Sequence, residues 1–189
     1  MLILLRHGQT EINAQARLQG RIDLPLDDEG RRQARTVADH VRATWPTARV
    51  VSSPLLRARE TAAAIGDHAV DIRFIELDYG DWDGLAMSQV DREKWSQWRA
   101  DPSFRPPAGE SLHELDQRVR PALEELVDEA RTGDVVVVSH VSPIKSAITW
   151  ALGVGPEVTW RFRLDRASLT LIDIGPNGPA LTGMNITVH

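Results

Sequence analysis

MLILLRHGQT, residues 1–10, decides the fold, because five apolar residues run directly into Arg6, His7 and Gly8. The apolar run does not alternate with polar residues, which is typical of a strand buried on both faces in a parallel sheet. The carboxyl ends of such strands form the ligand-binding crevice of open α/β sheets. The stretch therefore predicts a functional His7 at that crevice, although a polar turn after a core strand would give the same tripeptide.

The composition indicates one globular domain over residues 1–189. Hydrophobic residues make up 42% and charged residues 26% of the chain, as in ordinary globular proteins. A formal net charge of −5 argues against nucleic acid, and no apolar run reaches the length of a membrane span. The absence of Cys excludes thiolate nucleophiles and is typical of a cytoplasmic enzyme. We expect neither a nucleic-acid nor a membrane partner. Whether the chain forms a homodimer is left open by the sequence.

Helix and strand patterns alternate along the chain. Helical spacing of apolar residues occurs at 27–41, 55–65, 111–133 and 141–152. Short strands are expected at 49–53, 72–75, 134–138, 169–174 and 181–188, the last two antiparallel. We therefore predict an α/β fold: a three-layer αβα sandwich around a mostly parallel sheet with an antiparallel edge strand. A Trp-rich helical and loop excursion at about 77–110 is expected to cover the active site.

Three of the expected strands end in polar or basic residues. Arg6 and His7 follow the first strand, Ser53 and then Arg57 follow the second, and His140 follows the valine-rich strand. Because the carboxyl ends of parallel strands share one edge, two histidines and two arginines are expected around one site. The guanidinium fork matches the oxygens of phosphate or carboxylate. The pattern predicts a small anion-binding site.

These segments resemble the histidine phosphatase superfamily, the phosphoglycerate mutase-like enzymes, whose hallmark is an RHG motif after the first strand. The resemblance covers residues 2–145, in the family's order. The segments that carry it are LRHGQT (5–10) with Asn13, QG with DLPL (19–26), SSPLLRARETA (52–62), ELDYGDWDG (76–84) and VSH (138–140).

The resemblance implies a role for each matching residue. His7 would attack phosphorus and become phosphohistidine, Glu76 would protonate the leaving oxygen, and His140 would assist at the phosphoryl group. Phosphate contacts are implied for the side chains of Arg6, Arg57, Asn13 and Gln19 and for the backbone N–H of Val141. The chain has no HExxH pattern or paired acidic ligands, so neither a metal nor a cofactor is expected.

Two departures from the family pattern bear on the substrate. Val141 and Ser142 follow the second histidine, where the family often has two glycines. The interval before His140 is shorter than in the mutases, and PPAGES at 106–111 looks more like the broad-specificity and alpha-ribazole-type phosphatases of the cobalamin pathway. We expect a metal-independent phosphomonoesterase acting on a small phosphorylated metabolite. A phosphoglycerate mutase or a catalytically silent phospho-ligand binding module are the alternatives.

Arg21 and Asp83 are further candidates, for substrate specificity. Arg21 either reaches the pocket or is solvated. Asp83 stands where many relatives have Glu, and either supports a loop or takes part in catalysis. The remaining histidines are expected to have surface or structural roles: His40, His68, His113 and His189.

Overall fold

A six-stranded sheet forms the middle layer of the protein, whose computed structural model describes residues 1–189. The strands are β1 (Leu2–Arg6), β2 (Arg49–Ser52), β3 (Ala69–Val70), β4 (Val135–Ser139), β5 (Leu169–Gly175) and β6 (Gly178–Ile186). The helices are α1 (Glu11–Ala14), α2 (Asp28–Thr44), α3 (Leu56–Ile65), α4 (Arg92–Ala100), α5 (Leu112–Thr132) and α6 (Val141–Ala151). No helix is both long enough and apolar enough to span a membrane.

The strand order is β3-β2-β4-β1-β5-β6, and the first four of these strands are parallel. β5 pairs antiparallel with β1, and β6 pairs antiparallel with β5 at the edge of the sheet. The predicted fold class is confirmed, and the last two strands form the expected antiparallel pair at one side of the sheet.

Helices cover both faces of the sheet. Alternate residues of β1 and β4 pack against α5 and α6 on one face: Leu2, Leu4, Val135 and Val137. Their neighbours pack against α2 and α3 on the other face: Ile3, Leu5, Val136 and Val138. All eight are at most 1% exposed. Burial on both faces is the physical reason that these strands are continuously apolar.

The register of the parallel strands sets the position of the polar residues that follow them. Arg6 pairs with Ser139, and Ser52 pairs with Val138. The backbone N–H of His7 donates to the Ser139 carbonyl at 3.0 Å, and that of Ser53 donates to the Val138 carbonyl at 2.9 Å. The residues after β1, β2 and β4 therefore meet at one edge of the sheet.

The prediction of a strand at 72–75 is wrong. Ile72–Phe74 is a 3₁₀ helix, and the third parallel strand is the exposed pair Ala69–Val70. The Asp71 carboxylate accepts from the backbone N–H of Arg73 and binds the Arg73 guanidinium, which favours a turn over an extended chain. β6 also begins earlier than expected, at Gly178, because the hairpin after Gly175 is only two residues long.

The segment at about 77–110 contains two 3₁₀ turns and α4. Its aromatic rings pack together and onto Trp160, with centroids 4.6–6.3 Å apart: Tyr79, Trp82, Trp95, Trp98 and Phe104. Trp82 and Trp98 are at most 5% exposed and belong to the core that contains α5 and α6. Aromatic packing therefore joins this excursion to the rest of the fold.

Gly30, in the first turn of α2, contacts the loop that follows β1 more closely than any side chain would allow. A Cβ at Gly30 would lie 2.0 Å from the backbone oxygen of Gln9. We expect Gly30→Ala to lower the free energy of unfolding by about 1–3 kcal/mol, the usual cost of overpacking. Gly133→Ala is the matched control, since its Cβ would make only an ordinary contact at 3.7 Å. Equal denaturant midpoints for the two variants would contradict this prediction.

Candidate active site

His7 is held as a neutral ring with one fixed tautomer. Its side chain is buried, and its Nδ1 donates to the Gly8 carbonyl at 2.6 Å. Arg57 Nε donates to His7 Nε2 at 3.2 Å, so Nε2 is the nitrogen that carries the lone pair. Burial, and then the charges of Arg57 and Arg6, lower the pKa of His7 well below its ordinary value. A neutral imidazole whose unprotonated nitrogen is Nε2 is competent as a nucleophile.

Arg57 is fully buried at the start of α3, beside His7. Its Nη1 and Nη2 donate to the backbone carbonyls of Ile22 and Gly20 at 3.0 and 2.7 Å. No carboxylate forms an ion pair with this guanidinium, and burial lowers its pKa. The loop at 20–22 thus orients Arg57 without neutralising its charge.

Arg6 ends β1 and supplies a second guanidinium, which is partly buried. Its Nη1 donates to the Leu164 carbonyl at 2.6 Å, whereas its Nε is buried without a hydrogen-bond partner. Burial lowers the pKa of Arg6 to about 10. An unpartnered buried donor is costly in a folded protein, and a bound anion would satisfy it.

His140 lies between β4 and α6, with its ring centroid 5.0 Å from that of His7. Its Nε2 is 2.6 Å from the Ser53 hydroxyl, and its Nδ1 is buried without a partner. Burial, and then the charge of Arg57, lower the pKa of His140 well below its ordinary value. The two rings and two guanidinium groups form one electropositive site, as the strand ends predicted.

Glu76 is the carboxylate of this site. It is 4% exposed, and its Oε1 accepts from the backbone N–H groups of Leu77 at 2.8 Å and Ser142 at 3.1 Å. Its Oε2 accepts no hydrogen bond from the protein. Ser142 is in the first turn of α6, so Glu76 and the donors after His140 share that helix N-terminus.

The other implied phosphate contacts lie close to these groups in the fold. Asn13 Oδ1 is buried without a partner, and Gln19 Oε1 accepts from the Thr10 hydroxyl at 2.5 Å. Val141 is the first residue of α6, and the first N–H groups of a helix have no intrahelical acceptor. Such donors attract anions through their partial charge.

Arg21 and Asp83 are engaged elsewhere. The Asp83 carboxylate accepts from the backbone N–H groups of Gly20, Arg21 and Ile22 at 2.7–2.9 Å, which supports the loop that orients Arg57. The Arg21 guanidinium is half-exposed and forms ion pairs with Asp78 at 3.2 Å and Glu110 at 3.6 Å. Neither side chain bonds to His7, His140 or Glu76.

Sequence reasoning missed two basic residues near the site. Arg166 donates to the side-chain oxygen of Gln9 and to the backbone oxygen of Asn13, across more than 150 residues. Lys145, one turn into α6, donates to the Thr159 carbonyl at 2.6 Å, and burial lowers its pKa to about 8. No local pattern marks Arg166. Lys145 could have been found as the residue one turn after His140 on the same helix.

The structure contains no group of three or more His, Cys, Asp or Glu side chains arranged to hold a metal ion.

The family model described as "Histidine phosphatase superfamily (branch 1)" matches residues 2–187. The chain belongs to this superfamily. The family prediction made from the RHG motif is therefore confirmed.

Relatives of this histidine phosphatase superfamily member include several named phosphatases. It is 33% identical to phosphoserine phosphatase 1 of Hydrogenobacter thermophilus, over all of this chain and 93% of that protein. A solved mycobacterial glucosyl-3-phosphoglycerate phosphatase in complex with VO3 has a TM-score of 0.90 at 30% identity, covering 98% of this chain and 99% of the other.

A bifunctional protein of Mycobacterium tuberculosis is 38% identical over 185 residues, or 94% of this chain. The chain spans about half the length of this relative, 51%. The match therefore concerns one part of a longer protein.

The buried neutral histidines make stability depend on pH. Because the folded-state pKa of His7 is lowered, the unfolded chain binds the additional proton as the pH falls through about 6.5. The free energy of unfolding should then fall by up to about 1.4 kcal/mol per pH unit for His7 below that pH. His7→Asn should remove this part of the slope in urea unfolding between pH 5 and 7. Equal slopes for the two proteins would contradict the neutral state of His7.

Proposed function

We propose that this protein hydrolyses small phosphomonoesters through a phosphohistidine at His7, without a metal ion. One observation carries the proposal: His7 Nε2, with its tautomer fixed by Gly8, receives a hydrogen bond from a buried Arg57 that has no carboxylate partner. This arrangement places a neutral nucleophile beside positive charge. The phosphatase names of the relatives support the same activity.

In the first step His7 Nε2 attacks phosphorus, and the bond between phosphorus and the ester oxygen breaks. The leaving oxygen takes a proton from Glu76, whose Oε2 is free of other contacts. In the second step a water oxygen attacks phosphorus, its proton passes to Glu76, and the phosphorus–nitrogen bond breaks to release inorganic phosphate. A covalent intermediate divides a very slow reaction into two easier ones.

The phosphoryl oxygens carry the charge in both steps, and we assign their contacts to donors that lack other partners. Arg6 Nε, His140 Nδ1 and the Val141 N–H are such groups. Arg57 adds the second N–H of Nη1 and of Nη2, beyond those that it donates to Ile22 and Gly20. Asn13 and Gln19 would add neutral amide donors, each after an amide reorientation. Preorganised positive charge in a buried site stabilises the transition state because it needs no rearrangement during the reaction.

The two alternatives fit the site less well. A silent phosphate-binding module would need the arginines, but neither a tautomer-fixed nucleophile nor a buried acid. A mutase would return the phosphoryl group to its product, whereas the named relatives are phosphatases. We therefore favour hydrolysis.

We further propose that residues 1–189 act as one catalytic unit. The aromatic packing of the segment at about 77–110 next to Glu76 supports its role as a cover over the active site. The cysteine-free composition supports a cytoplasmic location.

The phosphohistidine can be measured directly. Enzyme quenched during turnover should carry an acid-labile, base-stable phosphoryl group, and the yield should be the same with EDTA present. His7→Ala should carry none, because the only proposed nucleophile is gone. A normal yield of phosphoenzyme in His7→Ala, or its loss in EDTA, would overturn the proposal.

The roles of Glu76 and Arg57 can be distinguished with substrates that differ in their leaving group. An alkoxide needs its proton in the transition state, whereas nitrophenolate departs without one. Glu76→Gln should therefore slow enzyme phosphorylation by an alkyl phosphate about 100-fold or more and by p-nitrophenyl phosphate far less. Arg57→Ala should slow both to a similar degree, because it contacts the phosphoryl oxygens. Equal losses in Glu76→Gln in presteady-state kinetics would exclude Glu76 as the acid.

A further inference from the structure

A cavity of about 720 Å³ opens beside the phosphoryl site. Its wall includes Arg6 and Asn13, two residues that the proposed function places on the phosphate. The rest of the wall comes from the turn after α1, the first half of α2, Met87, the segment at 163–167 and residues 187–189. This volume is within the range of small-molecule sites and exceeds the need of a phosphoryl group alone.

The wall of the cavity is strongly basic, although the chain as a whole has a net charge of −5. Five arginines and only two acidic residues line it: Arg6, Arg17, Arg32, Arg163 and Arg166, with Glu29 and Asp165. Glu29 is neutralised by Arg32 at 2.6 Å, and the Asp165 carboxylate accepts from the Asn185 amide at 2.9 Å. The remaining arginines have no acidic partner, so positive charge faces the cavity.

Arg17 and Arg163 are the two free cations of this wall. Both side chains are exposed, and neither guanidinium forms an ion pair or a hydrogen bond within the protein. Arg166 contacts only uncharged oxygens, those of Gln9 and Asn13. Several other surface arginines are paired, among them Arg31, Arg42, Arg49 and Arg131, whereas Arg161 is exposed and unpaired but lies outside the cavity.

Two residues of the wall, Arg6 and Asn13, each also carry a buried polar atom without a partner, Arg6 Nε and Asn13 Oδ1. Buried polar atoms of folded proteins are normally satisfied. Arg6 and Asn13 therefore connect the phosphoryl site with the basic surface formed by Arg17 and Arg163. A ligand that reaches these atoms therefore extends toward two unpaired cations.

We propose that this cavity receives the leaving group of the substrate, and that Arg17 and Arg163 bind a second anionic group on it, a carboxylate or a phosphate. This inference rests on the proposed function and narrows its substrate class. Phosphomonoesters whose alcohol carries its own negative charge are preferred over esters of neutral alcohols. Guanidinium groups match both anions through paired N–H donors.

The test uses two esters that differ only at the proposed anion. 3-Phosphoglycerate carries a carboxylate where glycerol 3-phosphate has a CH₂OH group. Wild-type enzyme should show a higher kcat/KM for 3-phosphoglycerate, and Arg17→Gln and Arg163→Gln should each lower this preference about fivefold, as expected for a partly exposed ion pair. Arg161→Gln is the matched control, since Arg161 is exposed on the same segment but does not line the cavity.

A second pair of substrates, fructose 1,6-bisphosphate and fructose 6-phosphate, tests in the same way whether the second anionic group is a phosphate. Dependence on Arg17 and Arg163 in only one pair identifies the anion that is bound. Calorimetric binding of all four esters to His7→Ala gives a readout that needs no turnover, with the same order of preference expected.

Three outcomes separate the two proposals. If wild-type enzyme fails to hydrolyse even p-nitrophenyl phosphate, the proposed function fails, while the binding data still decide the role of the cavity. If hydrolysis occurs with no preference for the charged ester in either pair, the cavity proposal alone is overturned. It is overturned equally if Arg17→Gln and Arg163→Gln change the preference no more than Arg161→Gln does.

Discussion

The architecture depends on keeping two guanidinium groups beside His7 without an ion-pair partner, that of Arg57 fully buried and that of Arg6 partly buried. Burial of an unpaired charge is expensive, and proteins retain it where a ligand supplies the opposite charge. Backbone carbonyls of Gly20, Ile22 and Leu164 hold the two side chains by hydrogen bonds that orient them but leave their charge in place. Burial of the His7 ring, and then these two charges, lower the pKa of His7 and so keep its ring neutral.

Loops around the sheet hold these two guanidinium groups in place. The Asp83 carboxylate holds three successive N–H groups of the loop at 20–22, whose carbonyls in turn orient Arg57. The segment before β5 supplies the acceptor for Arg6 and carries Arg163 and Arg166 of the neighbouring cavity. This segment therefore contributes both to the support of Arg6 and to the wall of the cavity.

Much of the fold could be predicted because local patterns and packing agree. The valines of β4 are buried on both faces, so their continuous apolar run indicated the strand correctly. At 72–75 the same kind of pattern failed, since the side chain of Asp71 stabilises a turn through Arg73 and overrides the strand preference of the apolar residues. The pair Ala69–Val70 is exposed and short, and it therefore carries no apolar signal.

The sequence by itself determined the layered α/β fold, the family, and the meeting of His7, Arg57 and His140, because parallel strands must end at the same edge. Only the tertiary structure decided which nitrogen of His7 is unprotonated, since that depends on the Gly8 carbonyl and the Arg57 guanidinium. It also decided that Asp83 supports a loop, that Arg21 is paired with acids, and that Arg166 reaches Asn13. These contacts join residues far apart in the chain, and their geometry arises only when the helices and strands pack.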